Sequence, residues 1–415
     1  MDFHLRKAAQ DVVGVPISGA FGGDGYVCRV VGRQGVSMKI HNEPVPTNLD
    51  PQLEYQMLTP PATILKQTAW PQDIVEDSRG GAVGYLQQHF SPGFVPFTAV
   101  ASRPTRPGWA SDKTLRQCAY QAAYLLAELH AYDYLYPDIH AEQFLVDSKP
   151  QIVLIDMGSC QFTNNGTLYP CRRARPEYQA PELLGFSNWE EAAHRRDVYT
   201  DSWSLAVLLF ELTVGCHPFD GVHVGVDKYL SPAERAKHGQ FPFHRSCRDY
   251  RPPPNAPPYR RVDPDLQDLF FRCFVDGHRH EDRHARPLPG EWADVLRHCR
   301  KLIDQPSPAV PNVLPTPSTS TGSRRPRATL SRVLRRLRLL RRRSRTALAC
   351  VTILLVACIG SYYFRPSQRD DPARWYHPPR SPPLLSPKPN RNIDIDNILD
   401  RLRRKNTTNH KENVR

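Results

Sequence analysis

Asp138-Ile139-His140-Ala141-Glu142-Gln143 opens a stretch that continues through Phe144-Leu145-Val146, Asp147-Ser148-Lys149-Pro150 and Ile152-Val153-Leu154-Ile155 to Asp156-Met157-Gly158. Two short apolar runs flank a polar turn, the pattern of a small hairpin. An aspartate stands at each end of it, eighteen residues apart. Either aspartate alone reads as a cap or turn residue. At the two ends of one hairpin they are held in register with each other, as a proton acceptor and a metal ligand must be. Asp138 suits the first role, taking or orienting the proton of an attacking hydroxyl. Asp156 suits the second, because a hard cation wants oxygen ligands and a strand end positions one well.

Toward the amino terminus lies Gly22-Gly23-Asp24-Gly25-Tyr26-Val27, followed by Val36-Ser37-Met38-Lys39. Glycines allow close backbone approach to a ligand, and a lone cluster of them is ordinarily only a turn. Lys39, fourteen residues after Gly25 in an apolar run, adds the cation that phosphates need. Toward the carboxyl terminus come Ala180-Pro181-Glu182 and Asp201-Ser202-Trp203-Ser204. Each motif alone says little. In this order and spacing they point to phosphoryl transfer.

Around these motifs the chain reads as strand-rich first and helical later. Residues 26–31, 36–40 and 83–90 have strand character, whereas Val12-Val13 before Gly14 is too short a run. Residues 50–58 read as a brief helix with Asp50 as N-cap and Pro51 at the first position. Residues 114–130 carry Leu115, Cys118, Ala119, Ala122, Leu126 and Leu129 on one helical face. Residues 202–214 are apolar nearly all round, the mark of a helix buried in a sizeable domain. Globular patterning continues through a helix-like stretch at 289–303.

The 415 residues carry a net charge of +13, but eleven arginines lie between 324 and 345 with no acid, leaving +2 for the rest. That argues against a globally basic nucleic-acid binder. Residues 304–323 are a Pro/Ser/Thr-rich linker. After the arginines come nineteen uncharged residues, 346–364, which as a helix at about 1.5 Å per residue match the roughly 30 Å core of a bilayer. The arginines flank the amino-terminal side only, so the positive-inside rule places residues 1–345 in the cytoplasm and the tail, 365–415, outside. Leu330, Val333, Leu334, Leu337 and Leu340 share one helical face within the basic segment. Such a helix lies on an anionic membrane surface, so anionic lipids are the expected partner of 324–345. The ten cysteines show no CxxC pair, and no signal peptide precedes Met1; reduced structural cysteines are the expectation.

These motifs resemble the protein kinase superfamily. More narrowly, the chain is similar to the bacterial kinase-domain family associated with helix-hairpin-helix segments, through Ala69-Trp70-Pro71, Gly84-Tyr85-Leu86, Asp156-Met157-Gly158-Ser159-Cys160-Gln161, Tyr169-Pro170-Cys171, Pro176-Glu177-Tyr178-Gln179-Ala180-Pro181-Glu182-Leu183, His217-Pro218-Phe219, Arg286-Pro287 and Glu291-Trp292. The resemblance covers residues 10–303 and implies an α+β, bilobal protein kinase-like fold with ATP in the cleft and Mg²⁺ or Mn²⁺ as metal. The disordered linker and single transmembrane helix would follow it. By the same resemblance Gly22, Gly23, Gly25 and Val27 would cover the nucleotide. Lys39 would bind its α- and β-phosphates and pair with a helix glutamate, for which Glu54 is the candidate. Asp138 would be the catalytic base, and Asp156 and Gln143 would hold metal. Glu182 would pair with Arg286, and Asp201 would brace the catalytic loop.

Three departures from the family pattern stand out. His140 takes the place of the lysine that steadies the γ-phosphate, so its catalytic charge depends on protonation. Gln143 replaces an asparagine, setting its amide oxygen one methylene further out. Tyr136-Pro137 replaces His-Arg, so little dependence on phosphorylation of Thr163, Thr167 or Tyr169 is expected unless Arg172, Arg173 or Arg175 supplies the anchor. The expected function is a membrane-anchored Ser/Thr protein kinase acting on a protein substrate. The alternative is a pseudokinase scaffold that binds nucleotide or a partner. A membrane-tethered nucleic-acid binder is a third reading. If the tail senses something, the flexible linker transmits little rigidly, and clustering in the membrane, at its simplest as a homodimer, is the expectation.

Overall fold

The computed structural model describes residues 1–299, apart from 43, 91–92, 102–105 and 226–229. The linker, basic segment, transmembrane helix and tail expected from the sequence lie outside the described residues. The chain divides into two units, Met1–Asn312 and Val313–Arg415, and the described residues all belong to the first. Among them no helix is long and apolar enough to cross a membrane.

The amino-terminal part is a closed antiparallel barrel of six strands: β1 (Asp2–Leu5), β2 (Gln10–Phe21), β3 (Gly25–Val30), β4 (Val36–His41), β5 (Asp73–Glu76) and β6 (Ala82–Gln88), in the order β1-β2-β3-β4-β6-β5. Closure comes from β1 pairing with β5, which leaves the sheet without a free edge. Inside lie Leu5, Val12, Cys28, Val30, Met38, Ile40, Val75 and Leu86. The strand called too short around Val12-Val13 is in fact twelve residues long. Gly14 and Gly19 interrupt its sequence pattern; pairing of Gly14 with Val30 on β3 carries the strand across the first, and the register shifts between Pro16 and Phe21, around the second. Gly14 is crowded: a Cβ there would stand 2.7 Å from Met38 Cε, and the Met38 side chain would have to shift.

Between β4 and β5 runs α1 (Leu49–Leu58), whose N-cap position is Asn48 rather than Asp50, although the Asn48 side chain makes no capping hydrogen bond. Asp50 is instead in the first turn, where Arg6 binds it through both terminal nitrogens. After β6 come β7 (Val95–Pro96), α2 (Phe97–Ala101) and α3 (Asp112–Ala131). Ser111 and Thr114 form a capping box that fixes the start of α3. Then β8 (Phe144–Val146) and β9 (Ile152–Leu154) form the expected hairpin, Phe144 opposite Leu154. Strands β10 (Phe162–Asn164) and β11 (Thr167–Tyr169) and the short helix α4 (Trp189–Ala192) lead to α5 (Val198–Val214).

Helix α5 is buried along almost its whole length. Asp197 caps it at one end, and Gly215, at φ 87°, stops it at the other. Helix α3 packs against it, α7 (Pro264–Phe271) reaches it through Phe270 on Phe210, α8 (Pro289–His298) packs on α3 and α7, and α6 (Pro232–Lys237) packs on the short turns at 176–183. Trp203, Phe210, Phe219, Phe241, Phe270 and Phe274 meet in largely edge-to-face contacts, which favours one packing over its neighbours. Glu182 and Arg286 are locked as a bidentate pair at 2.8 and 2.9 Å, with Arg286 wholly buried. A strand-built part and a helix-built part thus flank the hairpin that carries Asp138 and Asp156.

Candidate active site

The loop before β8 is held at its backbone. Asp201, buried on α5, accepts from the Tyr136 N–H at 2.7 Å, and His130 Nε2 lies 3.0 Å from the same oxygen. The Tyr136 hydroxyl donates to Ile155 O at 2.7 Å, and Gln179 Nε2 donates to Pro137 O at 2.9 Å. Asp201 therefore braces this loop as the resemblance implied. Buried peptide groups satisfied this way hold Asp138 without relying on its own side chain.

Asp138 is buried at the mouth of a cleft of about 690 Å³ that it shares with Lys39, His140, Gln143 and Asp156. Gln143 Nε2 donates to Asp138 Oδ2 at 3.2 Å. His140 Nε2 stands 3.7 Å from Asp138 Oδ1. The Glu142 N–H donates to His140 Nδ1 at 3.3 Å, so in the neutral ring the proton belongs on Nε2, facing Asp138. Across the cleft Lys39 Nζ lies 3.2 Å from Asp156 Oδ1. Asp156 adopts the left-handed backbone region, φ 58° and ψ 43°, which aspartate tolerates better than most residues.

Gly22, Gly23, Gly25 and Val27 line the same cleft. The turn closes through Gly22 N–H to Gly25 O at 2.8 Å. Gly22 and Gly23 present open backbone, whereas a Cβ at Gly25 would fall 2.0 Å from Ile40 O. Gly25 is thus required by the approach of β4, independent of any ligand. Asp24 in this turn lies 3.4 Å from His41 Nδ1 and 3.3 Å from Arg173 Nε. Its carboxyl is pushed well below the ordinary range, first by His41 and then by the charges of Lys39 and Arg173.

Glu54 is a correction to the sequence reading. It does not face Lys39; it lies mostly exposed, 3.3 Å from Arg6. The reason is helical geometry: Gln52 and Gln56 share the inward face of α1, and Glu54 is about 200° round from Gln52. Gln52 Nε2 donates to Gly158 O at 2.7 Å and Gln56 Nε2 to Met157 O at 2.8 Å. The Gly158 N–H donates to the Tyr85 hydroxyl at 3.2 Å. A Cβ on Gly158 would sit 2.8 Å from the Tyr85 ring, so this glycine is fixed by contact. The sequence reading missed Gln52 and Gln56 as site residues. Their i, i+4 spacing is the signal that would have found them.

The arginines after the hairpin each find an acid: Arg172 with Glu190 at 3.4 Å, Arg173 with Asp24, and Arg175 with Glu142. Below them the Tyr178 hydroxyl donates to Glu211 at 2.6 Å, and burial raises that carboxyl to about 7.

The donor set fits a magnesium nucleotide. Mg²⁺ binds through one or two protein oxygens plus phosphate and water rather than an all-protein cage, and Asp156 with the Gln143 amide oxygen would supply those. Among the described residues no cluster of three or more His, Cys, Asp or Glu side chains could hold a metal by itself. Bound metal would neutralise charge on the phosphates, and Lys39, 3.2 Å from Asp156, would add a second positive charge beside it.

Residues 94–286 match the family described as "Protein kinase domain". Over these residues, and in the side chains that its cleft brings together, the chain is similar to that family. "Protein kinase YegI" of Escherichia coli O157:H7 is 26% identical over 304 residues, covering 71% of this chain and 46% of that protein. The K12 protein of the same name is 26% identical over 289 residues, covering 68% and 44%. The chain therefore spans less than half the length of these curated relatives. The solved structure of the ROP18 kinase domain in complex with AMP-PNP and sucrose covers 72% of this chain and 82% of its own, at 19% identity and a TM-score of 0.47.

Proposed function

We propose that this chain is a membrane-anchored protein kinase that transfers the γ-phosphate of ATP to serine or threonine hydroxyls of a protein. The observation that carries the reading is the convergence of Lys39, Asp138, Gln143 and Asp156 on one cleft from three separate segments: β4, the loop before β8 and the end of β9. In the reaction the substrate oxygen bonds to the γ-phosphorus and the β,γ-bridging bond to it breaks, leaving ADP. Asp138 orients the hydroxyl and takes its proton. His140, with Nε2 toward Asp138, stands beside the developing charge and contributes most when protonated. Lys39 binds the phosphates, and Val27 with Leu145 and Ala69 offers apolar wall for the base.

Anchoring through 346–364, with the kinase-like part cytoplasmic and 324–345 on anionic lipid, rests on the apolar run and the arginines beside it. The narrower likeness to helix-hairpin-helix-associated kinases rests on the sequence motifs alone.

A scaffold that binds nucleotide without turnover is the second reading. It is favoured by the Gln143 amide that engages Asp138 directly, and by the Lys39 ammonium having Asp156 rather than an α1 glutamate as its partner.

The test is autophosphorylation of the full-length chain with ATP and Mg²⁺ or Mn²⁺, read by mass spectrometry beside Asp138→Ala and Lys39→Ala. Phosphoserine or phosphothreonine in the parent alone supports the kinase. Lys39-dependent ATP binding with no phosphate transferred selects the scaffold. Membrane association that withstands high salt and is lost on deleting 346–364 supports the anchor; salt-resistant association retained without 346–364 overturns it.

A further inference from the structure

The glycine turn is tied to the far side of the cleft. Arg173 Nη2 donates to Gly23 O at 3.1 Å, and its Nε lies 3.3 Å from Asp24 Oδ1. The other Asp24 oxygen lies 3.4 Å from Nδ1 of His41, a side chain only 7% exposed. Neither ring nitrogen of His41 makes a hydrogen bond. His41 stands two residues beyond Lys39 on β4, and the turn, Lys39 and Arg173 all line one cleft. A carboxylate in this turn, facing three cationic or protonatable groups, is where a ligand carrying anionic oxygens would be drawn.

We propose that Asp24 is an internal stand-in for the nucleotide's phosphate, and that its contacts with Arg173 and His41 form an autoinhibitory latch across the cleft. The inference rests on the nucleotide reading of the cleft. Phosphate oxygens arriving beside Lys39 enter the positive field that the Asp24 carboxylate now shares, through contact with Arg173 and His41 and at longer range with Lys39. Its departure frees Arg173, and with it the segment that follows the metal-binding aspartate. The glycine turn and residues 171–175 are thereby loosened together, by ligand charge alone.

Two measurements on the full-length chain test this. The first is ATP binding with Mg²⁺, parent against Asp24→Asn. The isosteric amide removes the competing charge, and a partly exposed ion pair of this kind predicts affinity tighter by about two- to five-fold. The second is amide hydrogen exchange of residues 22–26 without nucleotide, in Asp24→Asn and in Arg173→Gln; both variants should exchange faster than the parent. Unchanged or weaker ATP binding by Asp24→Asn overturns the latch while leaving the nucleotide site standing. Unchanged exchange in both variants overturns it as well, whether or not ATP binds. ATP binding by neither protein removes the nucleotide reading itself, and the stand-in role of Asp24 with it.

Discussion

Lys39 Nζ lies 3.2 Å from Asp156 Oδ1, while Glu54 pairs with Arg6 on the outside of α1. The cation expected to answer to a helix glutamate answers instead to the proposed metal ligand. Helix α1 meets the Met157-Gly158 backbone through neutral glutamines. Lys39→Met should therefore lower phosphate transfer by about a hundred-fold or more, as removal of a transition-state cation does. Glu54→Gln should leave it within about two-fold, since its contact is surface-exposed. Steady-state assay of the three proteins decides. An equal loss in Glu54→Gln would mean that α1 turns to present it to Lys39 during turnover.

The Glu182–Arg286 pair should dominate the stability of the helical part. Arg286 is wholly buried, and also donates through Nε to Gly277 O at 2.7 Å. Glu182→Gln leaves that guanidinium without its counter-charge, at a cost of about 3–5 kcal/mol. Urea denaturation should show a lower midpoint with an unchanged slope. A shift under about 1 kcal/mol would mean that the carbonyls around Arg286 suffice to hold it.

Glu211 gives a pH signature of opposite sign to most carboxylates. Burial raises it from 4.5 to about 7 in the folded protein, against the lowering effect of the Tyr178 hydroxyl. Below pH 4.5 both folded and unfolded chains hold the proton, and the residue contributes nothing to the pH dependence. Between 4.5 and 7 the unfolded chain releases a proton that the folded one keeps, so stability falls as pH rises. The full penalty, on the order of 3 kcal/mol, is present above pH 7. Glu211→Gln should remove that slope while its amide oxygen still accepts from Tyr178. Midpoints of denaturation at pH 5, 6, 7 and 8 for both proteins check this; parallel profiles would refute it.

Much of this molecule is legible in its sequence. The periodicity of Leu115 to Leu129 gave α3 to within two residues, because one buried face is enough to phase a helix. The apolar run 202–214 marked α5, though its first turn, Val198 to Asp201, was hidden by polar residues that cap and brace. The order of Gly22, Lys39, Asp138 and Asp156 foretold a shared cleft. Strand β1 left little trace because it is four residues long, and most of β2 because Gly14 and Gly19 break its pattern; cross-strand hydrogen bonds hold both in place.

What the sequence alone determined is the set of chemical groups and the elements that carry them, because propensity, capping and hydrophobic period act over a few residues. Which group meets which was settled only in three dimensions. Glu54 and Gln52 are two residues apart, yet the rotation of α1 sends one to Arg6 and the other to Gly158. Asp24 and Arg173 are 149 residues apart and meet across the cleft. No local pattern encodes such pairings, because the free energy that selects them comes from packing the barrel against the helices.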